Sequence, residues 1–266
     1  MATTDQEYID RMVNNAIENQ RSKYMEASNE LNVWHCPSMS KENFWRLLSA
    51  TAQAIMAQRG VYHSFVIDDN NREIVRQMWL YIIGSNECSW NIHKGIYIGG
   101  KVGCGKTLLM QSFCEILHLI SGRTVEMIPA TQLFQRIIDD GINSLAKRPI
   151  FIDELGREQL EMNAFGNKMR PIADLMALRY NNGARTFFTS NFKLATLSLG
   201  RDKNGELIGY GQYIGDRIQE MTNIVEMTGE SRREKWEEEK IRLISRNVSR
   251  LLLRLLTTIP ITGSTR

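Results

Sequence analysis

The string Gly100-Lys101-Val102-Gly103-Cys104-Gly105-Lys106-Thr107 constrains this chain more than any other stretch. It fits G-x-x-x-x-G-K-[ST], a spacing that works as a phosphate cradle only in a loop between a strand and a helix. Glycines let the backbone turn tightly, so that successive N–H groups face one concavity. The following helix adds the positive end of its dipole. Lysine supplies a point charge for β- and γ-phosphates, and threonine a hydroxyl that can ligate Mg²⁺. The flanks agree with this. Gly95 to Gly99 is a short apolar run of strand character. From Lys106 to Ile120, Leu109, Phe113, Ile116, Leu117 and Ile120 share one helical face, and Gly122 stops the helix. The candidate ATP-binding residues are therefore the eight of the string together with Leu108, and Thr107 is a candidate Mg²⁺ ligand.

Downstream, apolar runs alternate with helical patterns. Thr124 to Ile128, Pro149 to Ile152, Thr186 to Thr189 and Asn223 to Met227 read as strands. Helices are expected over 132–140 and from Pro171, well suited to a first turn, to Tyr180. This alternation implies parallel crossovers and a sheet covered on both faces. The expected fold class is α/β: a P-loop NTPase with a five-stranded parallel sheet flanked by helices, a helical N-terminal region and a C-terminal helix. The run Ile150-Phe151-Ile152 ends in Asp153-Glu154, with one strand and one helix between it and the phosphate loop. An apolar strand ending in two acids there suits a Walker B pair. Asp153 would hold Mg²⁺ through water, and Glu154 would polarise the attacking water as general base.

Composition narrows the setting. The 266 residues are 42% hydrophobic and 24% charged, enough for a core without disulfides. Cys36, Cys88, Cys104 and Cys114 form no CxxC pair, which argues against a disulfide framework or a Cys-rich zinc site. No apolar run reaches membrane-spanning length, and the polar start lacks a secretory pattern, so a cytoplasmic protein with no membrane partner is expected.

Beyond the two phosphate motifs, the order of Asp153-Glu154-Leu155-Gly156-Arg157-Glu158, Leu178-Arg179-Tyr180 and Arg185-Thr186-Phe187-Phe188-Thr189-Ser190-Asn191-Phe192 resembles the DnaC/DnaI helicase loaders of the AAA+ ATPases, and equally the related IstB transposition ATPases. The resemblance covers roughly residues 65 to 233. It implies that Asn191 acts as sensor 1, positioning water near the γ-phosphate. It places an arginine finger on Arg217, within Tyr210-Gly211-Gln212-Tyr213-Ile214-Gly215-Asp216-Arg217-Ile218. Such an arginine would reach the ATP of a neighbouring subunit; otherwise Arg217 is an exposed helix residue pairing with Glu220. The strand-end arginine of the family falls on Arg233, with Arg232 as the alternative. The resemblance also implies ATP and Mg²⁺ as cofactors and a homo-oligomer. It implies single-stranded DNA and a replicative helicase as partners, or a transposase in the IstB reading. A small-molecule phosphotransferase fits less well, because a strand is inserted between the two phosphate motifs. A module that only senses ATP is disfavoured by the presence of both Glu154 and Arg217.

Three segments depart from the resemblance. The connection 159–170 is longer than expected, and its Lys168 and Arg170 either meet DNA or pack. Residues 1–64 form a helical N-terminal region suited to partner binding. Residues 234–266 form a basic amphipathic tail. From Lys240 to Arg266 there are six basic residues and no acidic ones. Arg242, Arg246, Arg250 and Arg254 run beside an apolar stripe of Ile241, Ile244, Val248, Leu251, Leu252 and Leu255. That pattern suits a helix packed on the sheet with a solvated basic edge, a surface for phosphate or a partner, or a helix lying on a membrane.

Overall fold

The computed structural model describes residues 2–32, 34–62, 64–164, 167–201 and 203–232. Three helices come first: α1 (Ala2–Asn32), α2 (Lys41–Gln58) and α3 (Arg72–Ile83). Strand β1 (Gly95–Gly100) leads into α4 (Lys106–Ser121), and β2 (Glu126–Pro129) into α5 (Ala130–Asp140). After β3 (Ile150–Leu155) comes a hairpin of β4 (Met162–Ala164) and β5 (Asn167–Met169). Then follow α6 (Pro171–Asn181), β6 (Thr186–Ser190), the short α7 (Leu194–Leu197), α8 (Gln212–Met221) and β7 (Thr222–Met227).

Five strands form one parallel sheet in the order β2-β3-β6-β1-β7. The strands fall where the apolar runs predict, to within two or three residues at their ends. Side chains alternate across this sheet and divide its core in two. Phe151 and Phe187 point to the side covered by α2, α3 and α4, where they join Phe44, Leu48, Val75, Met78, Tyr81 and Phe113. Tyr97, Ile150, Ile152 and Phe188 point to the other side and join Leu133, Ile137, Leu175, Met176, Ile214 and Ile218. Gly95 has a packing reason: a Cβ there would lie 1.8 Å from the Thr186 carbonyl oxygen of the adjacent strand.

Helix α2 begins at Ser40, whose hydroxyl accepts from the Asn43 N–H as an N-cap. Its Phe44, Leu48, Ala52 and Ile55 recur at helical spacing and are buried. Trp34, Phe44 and Leu48 share one cluster with Leu109, Met110 and Phe113 of α4. The core that supports the phosphate loop thus draws on residues the sequence places in the N-terminal region. Helix α1 is different, with every side chain from Gln6 to Glu26 exposed.

Deep in the second core, Arg179 is fully buried. It donates to Thr186 Oγ1 at 3.0 Å, to the Arg148 carbonyl at 3.0 Å, to the Arg185 carbonyl at 2.7 Å and to the Leu145 carbonyl. Burial pulls its guanidinium down to about 9, and the fixed acceptors are what make the charge tolerable there. The long connection 159–170 is the β4–β5 hairpin, paired Met162 with Met169 and Asn163 with Lys168. Lys168 forms an ion pair with Glu161 at 3.1 Å, and Arg170 donates to the Tyr210 carbonyl at 2.8 Å. Arg233 and the expected C-terminal helix, with Arg242, Arg246, Arg250 and Arg254, lie outside the described residues. Among the described residues no helix is long and apolar enough to cross a membrane.

Candidate active site

The carboxyl ends of β1, β3 and β6 are neighbours, so parallel pairing alone brings Gly100, Asp153 and Asn191 to one edge of the sheet. The loop after β1 turns with Gly103 at φ 83° and Gly105 at φ 105°, a region that favours glycine. A Cβ on Gly103 would also meet the Ser231 hydroxyl at 2.4 Å. Lys106 opens α4 and is only 6% exposed. Its ammonium donates to the carbonyls of Gly100 at 2.8 Å and Lys101 at 2.7 Å, and to Asn191 Oδ1 at 3.0 Å. Burial lowers the Lys106 pKa, opposed by the neighbouring Cys104, Asp153 and Glu154.

Thr107 donates to Asp153 Oδ1 at 2.8 Å, and the same carboxylate oxygen accepts from the buried Thr189 hydroxyl. Thr189 Oγ1 in turn accepts the Glu154 backbone N–H at 3.1 Å. Glu154 has φ 57°, the positive φ of a non-glycine residue among those described. The cause is local: the β3–β6 register shifts between Ile152 and Leu155, a bulge that re-aims the side chain at the strand end. The Glu154 carboxylate pairs with Arg157 at 2.8 Å, and both side chains are about half exposed. Exposed pairs of this kind are worth about 0–1 kcal/mol, so the contact is easily exchanged.

A cavity of about 780 Å³ opens from this polar end. Lys106, Thr107, Glu154 and Asn191 line its phosphate side, while Met56, Val61, Phe65, Val66 and Leu108 form an apolar wall that suits a planar base. Arg232 closes the remaining side. Its backbone N–H donates to Gly103 O at 3.0 Å, Nε to Cys104 O at 3.0 Å, and Nη2 pairs with Asp68 at 2.8 Å. The strand order places a phosphate-loop strand between β6 and β7 and an acid-ended strand beyond β6. The chain has a P-loop NTPase fold.

No model of a known protein family matches this chain, and no curated protein matches it. Among solved structures, the chain is similar to a DnaI crystal structure at TM-score 0.47 and 20% identity, covering 62% of this chain and 88% of that one. It is also similar to a DnaC helicase loader structure at 0.45 and 18%, over 62% and 93%. AMPPCP-bound DnaA from Aquifex aeolicus gives 0.47 and 16%, over 68% and 54%. At these scores and identities no residue role follows from the likeness.

Of the residues singled out by sequence, the fold brings Gly100 to Leu108, Asp153, Glu154 and Asn191 together. Arg217 is elsewhere, on α8, its guanidinium 3.7 Å from the Tyr213 ring centroid and 5.1 Å from that of Tyr180. It does not pair with Glu220, which accepts instead from the Tyr180 hydroxyl at 2.5 Å. Sequence reasoning missed Thr189, Arg157 and Asp68 as site neighbours. Thr189 had a signal, a hydroxyl beside the strand end in an otherwise apolar run. The apolar wall from Met56 to Val66 had none, because it belongs to a loop whose position depends on how α2 packs.

Proposed function

We propose that this chain binds and hydrolyses ATP with Mg²⁺, and that it does so as a helicase-loader-type ATPase acting on single-stranded DNA. The observation that carries the ATP reading is the convergence of Lys106, Asn191, Thr107 and Asp153, at 2.7–3.0 Å from their partners, on one end of a base-sized cavity. Lys106 exchanges its loop carbonyls for β- and γ-phosphate oxygens, and Asn191 stays within reach of the same position. Among the described residues there is no group of three acidic, His or Cys side chains fit for a metal. The residues that would hold Mg²⁺ are Thr107, through its hydroxyl, and Asp153, through water. Such an ion would neutralise charge on the phosphates. Glu154 leaves Arg157, accepts a proton from water, and the water oxygen bonds to the γ-phosphorus. The bond to the β,γ-bridging oxygen breaks, giving ADP and phosphate.

Arg217 is the arginine offered to the triphosphate of a neighbouring copy, so an isolated copy turns over slowly. The strand-end arginine that senses phosphate in the loop is Arg233 or Arg232, and Arg232 donates to the loop carbonyl of Cys104 at 3.0 Å. The helicase, single-stranded DNA and the homo-oligomer follow from the sequence resemblance, as does a transposase in its alternative.

The test is ATP turnover by the full chain alone, with single-stranded DNA and with duplex, beside Lys106→Ala. Stimulation by single strands, lost in the variant, supports the loader reading. Stimulation by duplex alone moves the assignment to a transposition helper. Turnover surviving in Lys106→Ala overturns the site.

A further inference from the structure

Tyr213 is 63% exposed, and Ile214 and Ile218, not Tyr213, anchor α8 in the core. Core packing therefore does not account for this ring. We infer that Tyr213, with Tyr180 beside it, is a positioning residue for Arg217, presenting its guanidinium to the triphosphate held by a second copy of the chain. The inference rests on the reading of Arg217 given above.

The geometry is specific. Tyr213 and Arg217 stand four residues apart on α8, so their side chains meet on one helical face. Tyr180 reaches the same guanidinium from α6. Both rings attract the cation through their π-faces, yet neither face is a hydrogen-bond acceptor of consequence. The N–H donors of Arg217 thus stay free for an oxygen-rich, anionic group that the chain itself does not supply. Asp216, adjacent in sequence, accepts from the Gln212 amide at 2.6 Å, and Glu220 accepts from the Tyr180 hydroxyl at 2.5 Å, so neither acid is paired with Arg217. The helix that carries the pair cannot easily roll. A Cβ on Gly215 would fall 2.0 Å from the Ser198 hydroxyl, so α8 lies tight against the turn after α7. A long flexible side chain is thereby ordered before any partner arrives, which lowers the entropy lost on engagement.

The experiment measures kcat and KM for ATP on the full chain with single-stranded DNA, for Arg217→Ala, Tyr213→Ala and Tyr213→Phe. Each is assayed alone and mixed with Lys106→Ala copies, which carry intact Tyr213 and Arg217. Arg217→Ala is expected to lose about 1000-fold in kcat. Tyr213→Ala is expected to lose about tenfold in kcat with KM unchanged, and Tyr213→Phe, which keeps the π-face, to stay within about twofold of the parent. Lys106→Ala copies should restore turnover at Tyr213→Ala sites, because the neighbour now supplies a held arginine. If Tyr213→Ala fails to fold, Tyr213→Leu keeps the apolar contact without the π-face and is expected to show the same loss. Full kcat in Tyr213→Ala beside a dead Arg217→Ala overturns this inference alone, as does a loss that mixing fails to restore. Full kcat in Arg217→Ala overturns the reading of Arg217 and this inference with it.

Discussion

The phosphate end of the cavity and the outer face of α8 hold their cations in opposite ways. Lys106 is buried and spends its ammonium on three fixed oxygens within 3.0 Å. Arg217 rests on two aromatic rings and keeps its donors uncommitted. The difference follows from dielectric. A buried charge is costly unless its environment is built to match it, so the lysine arrives with its cradle. A partly buried arginine pays less desolvation than the lysine and can be kept ready by contacts that ask for no hydrogen bond. In the proposed reading, one half of the catalytic machinery is complete within the chain, and the other is offered to a charge that comes from outside it.

That contrast can be broken most directly at Glu154. Glu154→Gln keeps the shape of the site but removes the proposed base, and turnover should fall by about 100-fold or more while ATP still binds. Retained turnover would place the base elsewhere. A smaller effect is expected at Arg157, whose exposed contact with Glu154 is worth about 0–1 kcal/mol. Arg157→Ala should raise basal turnover by up to about fivefold and reduce the additional stimulation by DNA. A fall in rate instead would give Arg157 a role in catalysis.

The smallest effect concerns burial itself, at His35. Its Nδ1 faces the Tyr81 carbonyl at 3.1 Å, and burial, aided by the Arg185 charge, lowers its pKa below 6.5. The unfolded chain then takes up the proton first as pH falls. The neutral ring contributes stability that is full above pH 6.5 and is lost as pH falls through the depressed folded value. In denaturant titrations from pH 7.5 to 5, His35→Gln should flatten this slope. An unchanged slope would assign the acid sensitivity to other groups.

The sheet was legible because its signals are local. Buried parallel strands such as Ile150 to Ile152 read as unbroken apolar runs, and the glycine string between β1 and α4 admits one loop shape. Asp153, Glu154 and Asn191 were legible because each ends such a run. What failed to show was everything set by packing between distant segments. The base wall needs α2 against α4. The Arg157 contact needs the bulge in β3. The Lys168–Glu161 pair needs a hairpin that a merely polar connection did not announce. Arg217 lay between these cases: its place on a helix was readable, but its preference for Tyr213 over Glu220 was a matter of side-chain geometry across α6 and α8.

The brace at Arg232 has a mechanical consequence. Its amide and its guanidinium hold two consecutive carbonyls of the glycine loop, and its other end is tied to Asp68 ahead of α3. A force applied to the polypeptide just beyond Arg232 is therefore delivered first to the backbone of Gly103 and Cys104. Tugging or immobilising that end acts on the loop as a drawstring acts on a purse, tightening or slackening its mouth without touching the contents.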